Sequence, residues 1–440
     1  MLIGAMVASL AACGGGGGNA GGGSAAPEQG GGAAAPATSD DPNTLTLYAW
    51  DSSFNIPALE AAAEDYKTNV NPDFNLQIIE QSASEDVEQA ITTSASAGNF
   101  ETLPDIVLFQ DHYIKRYVAD YPDAWQAIGD VEGVNWDDFS AEKLDYSTID
   151  GVHYGMPVDG GTAIAAYRVD LLEEAGHSID ELTGCTWDQF IEIGKDVYDK
   201  TGKYLWTINS DGNDLIYIML QAEGTSWVKD GKPYITENEK LVQIIETIVK
   251  AAQENVLYMP NSWQAYTNEA IQGDMVAGVM NGNWIIATMT TVEANSGKWE
   301  ITTIPTFSGE EGYASNGGSS LYITANCAAD KVDLAKDFLA KTFGSSTATY
   351  DAALKASGLI GTYVPAASSE VYQEGVPFFN DTPINAQIAE MGAHVPIIEQ
   401  TDYHYAIREQ LGNAIVNIIN GADTMDALKE AEDQISFQMQ

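Results

Sequence analysis

Thr44-Leu45-Thr46-Leu47-Tyr48-Ala49-Trp50 alternates apolar with polar side chains at a period of two, the pattern of a strand with one face in a core. A helix follows over Ile56 to Lys67, with Pro57 in its first turn, where the missing N–H is harmless. Phe74 to Glu80 reads as a second strand, and Ser82 with Glu85 has capping-box spacing for the next helix. Pro104-Asp-Ile-Val-Leu-Phe109 is a third strand, succeeded by a helix from Asp111. Repeated strand–helix units predict an α/β fold on a parallel, doubly wound sheet.

Further along, Thr186-Trp-Asp-Gln189 is a capping box for a helix to Lys200, and Thr236 with Glu239 has the same spacing before a longer helix. In that helix Leu241, Ile244, Ile245, Ile248, Val249 and Ala252 fall on one core-facing side. Short strands are expected at Met275–Met280, Trp299–Ile304 and Leu321–Thr324, and amphipathic helices at Val332–Phe343 and Tyr405–Asn420. A chain of 440 residues exceeds what one core organises, so two domains are expected.

The N-terminus carries a different kind of information. An apolar run from Met1 ends in Leu10-Ala11-Ala12-Cys13, which reads as a lipoprotein signal over residues 1–12 with Cys13 as the lipid-bearing residue. No Lys or Arg precedes the run, which suits a signal that begins further upstream. Residues 13–43 are mainly Gly, Ala, Ser and Pro; they bury too little surface to offset their ordering entropy and read as a tether. The expected location is the extracellular face of a bacterial membrane, held through acyl chains on Cys13. No later segment is long and apolar enough to span a bilayer.

The formal net charge is −45, with 64 acidic residues against 19 Lys and Arg. That balance excludes nucleic acid as a partner, because phosphate contact needs cations, and leaves membrane attachment to the acyl anchor. Its bland reading is a solvated surface. Cys185 and Cys327 lie far apart, and two unpaired thiols are favoured over a disulfide.

Enzyme signatures are missing: there is no GxSxG, HExxH, Walker loop or GxGxxG. His112, His153, His177, His394 and His404 are scattered with no metal-ligand spacing, so neither metal nor cofactor is expected. Among 64 acidic residues, carboxylate pairs arise by chance and do not argue for a glycosidase. Binding signals are better. Trp50-Asp51, Glu80-Gln81 and Gln110-Asp111-His112 each follow a predicted strand, at the sheet edge where open α/β folds dock ligands. Asn281-Gly-Asn-Trp284 follows another. An aromatic face beside carboxylates and amides suits a sugar, whose C–H face stacks and whose hydroxyls are taken by the polar groups. Two readings stand for each: Trp50 ends a core strand or binds, Asp111 caps a helix or binds, Trp284 packs or binds with Gly282 leaving room for ligand. Trp227 and Trp263 sit in polar, loop-like surroundings and join the candidates, whereas Trp125, Trp136, Trp187, Trp206 and Trp299 read as packing.

Three stretches carry a resemblance. They are Tyr154-Gly-Met-Pro-Val-Asp-Gly-Gly-Thr162 running on to Asp170-Leu-Leu-Glu-Glu-Ala-Gly176, Gly273 to Trp284, and Ile304-Pro-Thr-Phe307 with Ala314-Ser-Asn-Gly-Gly-Ser-Ser-Leu-Tyr322. In this order, over residues 44–440, they resemble the extracellular solute-binding proteins of ABC sugar importers (family 1, maltose-binding-protein-like). The resemblance implies a two-lobe periplasmic-binding-protein-like fold of type II: two α/β domains joined by crossing hinge strands around a ligand cleft. One lobe would take 44–157 and about 316–372, the other about 158–315 and 373–440. Trp284 matches the tryptophan that stacks on sugar, and Asp111 lies near the acidic residue after the third strand. The resemblance also brings in Asn209 to Asp211, then Tyr403 and His404, where the maltose type has tryptophan, so malto-oligosaccharide specificity does not follow. Pro157, Gly317, Gly318 and Ser319 would serve the hinge. The expected function is a monomeric carbohydrate receptor, of oligosaccharides by preference, that hands its ligand to ABC permease subunits. The alternatives are a polyamine or peptide ligand in the same fold, or, less favoured, a secreted glycoside hydrolase.

Overall fold

The computed structural model describes residues 38–208, 212–401 and 403–439. The lipobox cysteine Cys13 and the tether to residue 37 lie outside them, as do Asn209, Asp211 and Asp402.

Five strands make the main sheet, in the spatial order Asn75–Glu80, Thr44–Ala49, Ile106–Gln110, Ser319–Ile323, Gly155–Asp159. The first three run parallel, as successive strand–helix units require. Ser319–Ile323 returns late in the sequence and runs antiparallel to both its neighbours, so the sheet is mixed rather than wholly parallel. A second sheet orders Gly278–Gly282, Ala163–Arg168 and Trp299–Thr302, all antiparallel. These sheets are the centres of two α/β lobes, each with helices packed on it.

Local chemistry explains most boundaries. The Trp187–Thr201 helix opens on the expected capping box, in which the Thr186 hydroxyl accepts from the Gln189 N–H at 3.2 Å and the Gln189 side chain reaches back. The other two boxes do not form. The Ser84–Ala97 helix has Ala83 at its N-cap, and the Asp86 carboxylate accepts from the Ser82 N–H. Asn238, immediately before Glu239–Gln253, caps that helix by accepting from the Leu241 N–H at 3.2 Å, while the Thr236 hydroxyl donates to Glu432. The strand expected from Met275 begins only at Gly278, because Asp274 turns the chain at positive φ and ion-pairs with Arg168 at 2.6 Å.

Leu241, Ile244, Ile245, Ile248 and Val249 are buried as their periodicity predicts, in one core with Trp187, Trp206 and the inner face of the His404–Ile419 helix. Trp187 and Trp206 stack with centroids 5.0 Å apart. Cys185 and Cys327 are both buried and unpaired. No described helix is long and apolar enough to cross a membrane.

Candidate ligand cleft

Two chain segments cross between the lobes side by side. Thr162 bridges Ser315 in antiparallel register, Ala163 N–H donates to the Ala314 carbonyl, and Asn316 N–H donates to the Gly161 carbonyl, the last two at 2.8 Å. They run so close that a Cβ on Gly161 would stand 2.7 Å from the Gly317 backbone, and Gly161 itself sits at φ +55°. Above this crossing lies a cleft of about 530 Å³, within the range of small-molecule sites.

Trp284 sits just after Gly278–Gly282, at the start of a short 3-10 turn. Its indole Nε1 donates to the Asn316 carbonyl at 2.9 Å. The Asn316 amide donates to Asn281 Oδ1 at 2.7 Å, and the Asn281 amide donates to the Tyr266 hydroxyl at 3.0 Å. This relay occupies the polar edge of the ring and leaves its face to the cleft. The space beside Gly282 is filled by the Trp284 ring itself and by the Asn316 carbonyl, where a Cβ would come within 2.6 Å; the glycine makes room for the tryptophan, not for ligand. Trp263, 49% exposed, leans on Trp284 with ring centroids 5.8 Å apart and extends the aromatic wall to the lip. Trp50 faces the same cleft from the other lobe.

Asp51 lines the cleft in a left-handed conformation. One of its oxygens accepts from the Ser53 N–H, the Ser53 hydroxyl and the Phe54 N–H, which ties the loop down before the Asn55–Asn69 helix. Gln110 also lines the cleft, yet both ends of its amide are used: Nε2 donates to Ser84 and Oε1 accepts from the Tyr405 hydroxyl at 2.9 Å. It positions its neighbours across the gap between lobes.

Several expected contacts lie elsewhere. Asp111 is 1% exposed and points beneath the floor, ion-paired to the equally buried Lys143 and accepting from the Ser320 hydroxyl at 3.0 Å. It supports the site rather than touching ligand, because the chain turns into a helix at this residue and Gln110 alone reaches the cleft. Burial pushes the Lys143 amine down to about 8. His404 is buried at 2% exposure and stacks on His112, out of the cleft. Trp227 lies in a loop but is buried, 2% exposed, in the core against Tyr217 and His404. Tyr403 packs on the same core. Gln81 bonds back to the Ile79 carbonyl and does not line the cleft. Asn209 and Asp211 fall outside the described residues. Of the hinge candidates, Gly317, Gly318 and Ser319 line the cleft at the crossing, whereas Pro157 is buried within the Gly155–Asp159 strand opposite Ser320. Gly318, at φ +105°, is held tight by chemistry: a Cβ there would meet Lys143 Nζ at 2.6 Å and Asp111 Oδ2 at 2.8 Å.

The sequence reading missed Tyr113, Tyr405, Arg408, Asp214, Asp159 and Glu85, all of which line the cleft. Tyr113 and Tyr405 stack across it at 4.2 Å with an interplanar angle of 17°. Arg408 lies over the Tyr405 ring at 4.6 Å and donates to Asp214 at 2.6 Å. Helix phase held a partial signal: at about 100° per residue Tyr405 points well away from His404, while Arg408, one turn after His404, lies between the two directions and so shares a face with Tyr405.

The profile of the family described as "Bacterial extracellular solute-binding protein" matches residues 61–380. The lactose-binding protein of Rhizobium radiobacter is 32% identical over 399 residues, covering 90% of this chain and 93% of the relative. The arabinooligosaccharide-binding protein of Halalkalibacterium halodurans is 22% identical over 353 residues, 77% of each chain. Among solved structures, the ABC transporter associated binding protein of B. animalis subsp. lactis Bl-04, in complex with β-1,6-galactobiose, superposes with a TM-score of 0.69 at 17% identity, over 90% of this chain and 97% of that one. That likeness carries the fold of two lobes around a cleft.

Proposed function

The chain belongs to the bacterial extracellular solute-binding proteins, and on that premise we propose that it is the carbohydrate receptor of an ABC importer, closing around a di- or oligosaccharide. One observation carries the reading: Trp50, Trp263 and Trp284, with Tyr113 and Tyr405, converge on a single cleft whose polar lining is mostly carboxylate and amide. Aromatic faces stack on the apolar face of a pyranose, and acceptor-rich walls take its hydroxyls. Trp284 serves as a stacking platform only, since its N–H is already donated. Cleft closure is a population shift between open and closed lobes about the Gly161/Gly317 crossing. Cys13 carries the acyl chains that keep the receptor beside its permease, and no catalytic step is assigned to the cleft.

The test is titration calorimetry of the full-length protein with lactose, β-1,6-galactobiose and arabino-oligosaccharides, the ligands named for its relatives. Micromolar or tighter binding of one sugar class supports the receptor reading. Binding of putrescine or a short peptide with no response to any sugar overturns the ligand and keeps the fold. Replacing Cys13 with Ser should release the protein from the membrane fraction; retention of the C13S protein there would overturn the anchor.

A further inference from the structure

The charges of the cleft do not balance. Asp51, Glu85, Asp159 and Asp214 face it, against the single guanidinium of Arg408 among the described residues. Arg408 is already engaged: it donates to Asp214 at 2.6 Å and lies over the Tyr405 ring. Beneath the floor, Lys143 ion-pairs with Asp111 and also acts electrostatically on Asp159. Asp214 is matched by Arg408 and Asp159 lies within the field of Lys143, so among the described residues Asp51 and Glu85 are the cleft carboxylates with no cationic partner.

Of the four carboxylates, Asp159 points most directly to a ligand. It is 3% exposed, lies where the Gly155–Asp159 strand meets the crossing, and its Oδ1 is buried without a hydrogen-bond partner. A buried acceptor left unmatched is costly, and a ligand hydroxyl or ammonium supplies the missing donor. A carboxylate, sulfate or phosphate brings only acceptors and like charge into a gap that closure makes less aqueous.

Resting on the sugar reading above, we propose that this cleft sorts sugars by charge: it binds neutral glycans, binds glycans bearing a protonated amine more tightly, and rejects uronates and sulfated or phosphorylated sugars. Asp159 sets the preference at the floor, with Asp51 and Glu85 at the rim.

The experiment compares lactose with matched analogues carrying an aminomethyl or a carboxylate group at C6 of either ring, titrated into the full-length protein at low and high salt. The expected result is at least tenfold weaker binding of the carboxylates than of lactose, several-fold tighter binding of the amines, and a gap that narrows as salt screens it. The Asp159→Asn and Glu85→Gln variants, checked for folding by their thermal transitions, should each narrow the amine-to-carboxylate ratio several-fold, Asp159→Asn the more. Equal or tighter binding of the carboxylates than of lactose overturns the proposal while leaving the sugar reading intact. No binding by lactose, either analogue or an arabino-oligosaccharide overturns both.

Discussion

The imidazoles of His112 and His404 stack face to face, centroids 4.0 Å apart and 11° from parallel, at the seam where the end of the main sheet meets the His404–Ile419 helix. Both rings are buried, and the Gly317 N–H donates to His112 Nε2 at 3.3 Å, so this ring accepts from the crossing segment. Burial, and then Arg408, holds His112 down at about 3, and burial likewise holds His404 well below its ordinary value.

A pH dependence follows from that pair. Between an ordinary value of 6.5 and about 3 the unfolded chain binds a proton at His112 that the folded chain does not. Its contribution is therefore complete above pH 6.5 and is lost as pH falls, by up to about 1.4 kcal/mol per pH unit. Glu142, pushed up to about 7 by burial among Ser315 and Gln221, acts oppositely, losing stability as pH rises from 4.5 toward 7. Urea unfolding of wild type and His112→Gln in parallel isolates the histidine: the wild type should lose ground to the variant as pH drops below 6.5. A difference that stays constant with pH would show that His112 takes up its proton alike in the folded and unfolded chain, against a lowered value in the fold.

Lys143→Met leaves the Asp111 carboxylate buried without its counter-charge. Removing one partner of a buried pair costs about 3–5 kcal/mol. The urea midpoint should fall accordingly, and adding Asp111→Asn should recover part of the loss. A single variant as stable as wild type would mean that Asp111 finds another partner.

Trp284→Ala removes the aromatic platform. Sugar affinity should weaken by about 1–3 kcal/mol, the scale of one large aromatic contact, read by calorimetry. Trp284→Phe should lose less, because the face remains while the bond to the Asn316 carbonyl goes. An unchanged affinity in the alanine variant would take this ring out of the binding surface.

Gly161→Ala places a methyl 2.7 Å from the Gly317 backbone at a left-handed residue. The conformational term alone is about 1–2 kcal/mol, and the contact adds to it by prising the crossing segments apart. Thermal unfolding should shift down, and X-ray scattering of the ligand-free protein should change if this crossing is the hinge. An unaltered scattering profile with a lowered melting temperature would confine Gly161 to a structural part.

Periodicity and capping chemistry are local, so the sequence alone determined the N-terminal strand–helix units, the core face of Glu239–Gln253 and the Thr186 cap, and it pointed to Trp50, Asp51, Gln110, Trp263 and Trp284, all of which line one cleft. The family resemblance carried by three stretches in order likewise implied the type of fold before any contact was known. Three features were decided only by tertiary structure. The antiparallel insertion of Ser319–Ile323 joins strands more than two hundred positions apart, beyond the reach of local pattern. Burial took Asp111 and His404 out of the cleft while their neighbours Gln110 and Tyr405 face it, because one step along a helix turns a side chain by about 100° and only packing decides which direction meets the cleft. The charge facing ligand was equally hidden, since Asp159, Asp214 and Arg408 acquire a shared field only when the crossing strands bring two lobes around one space.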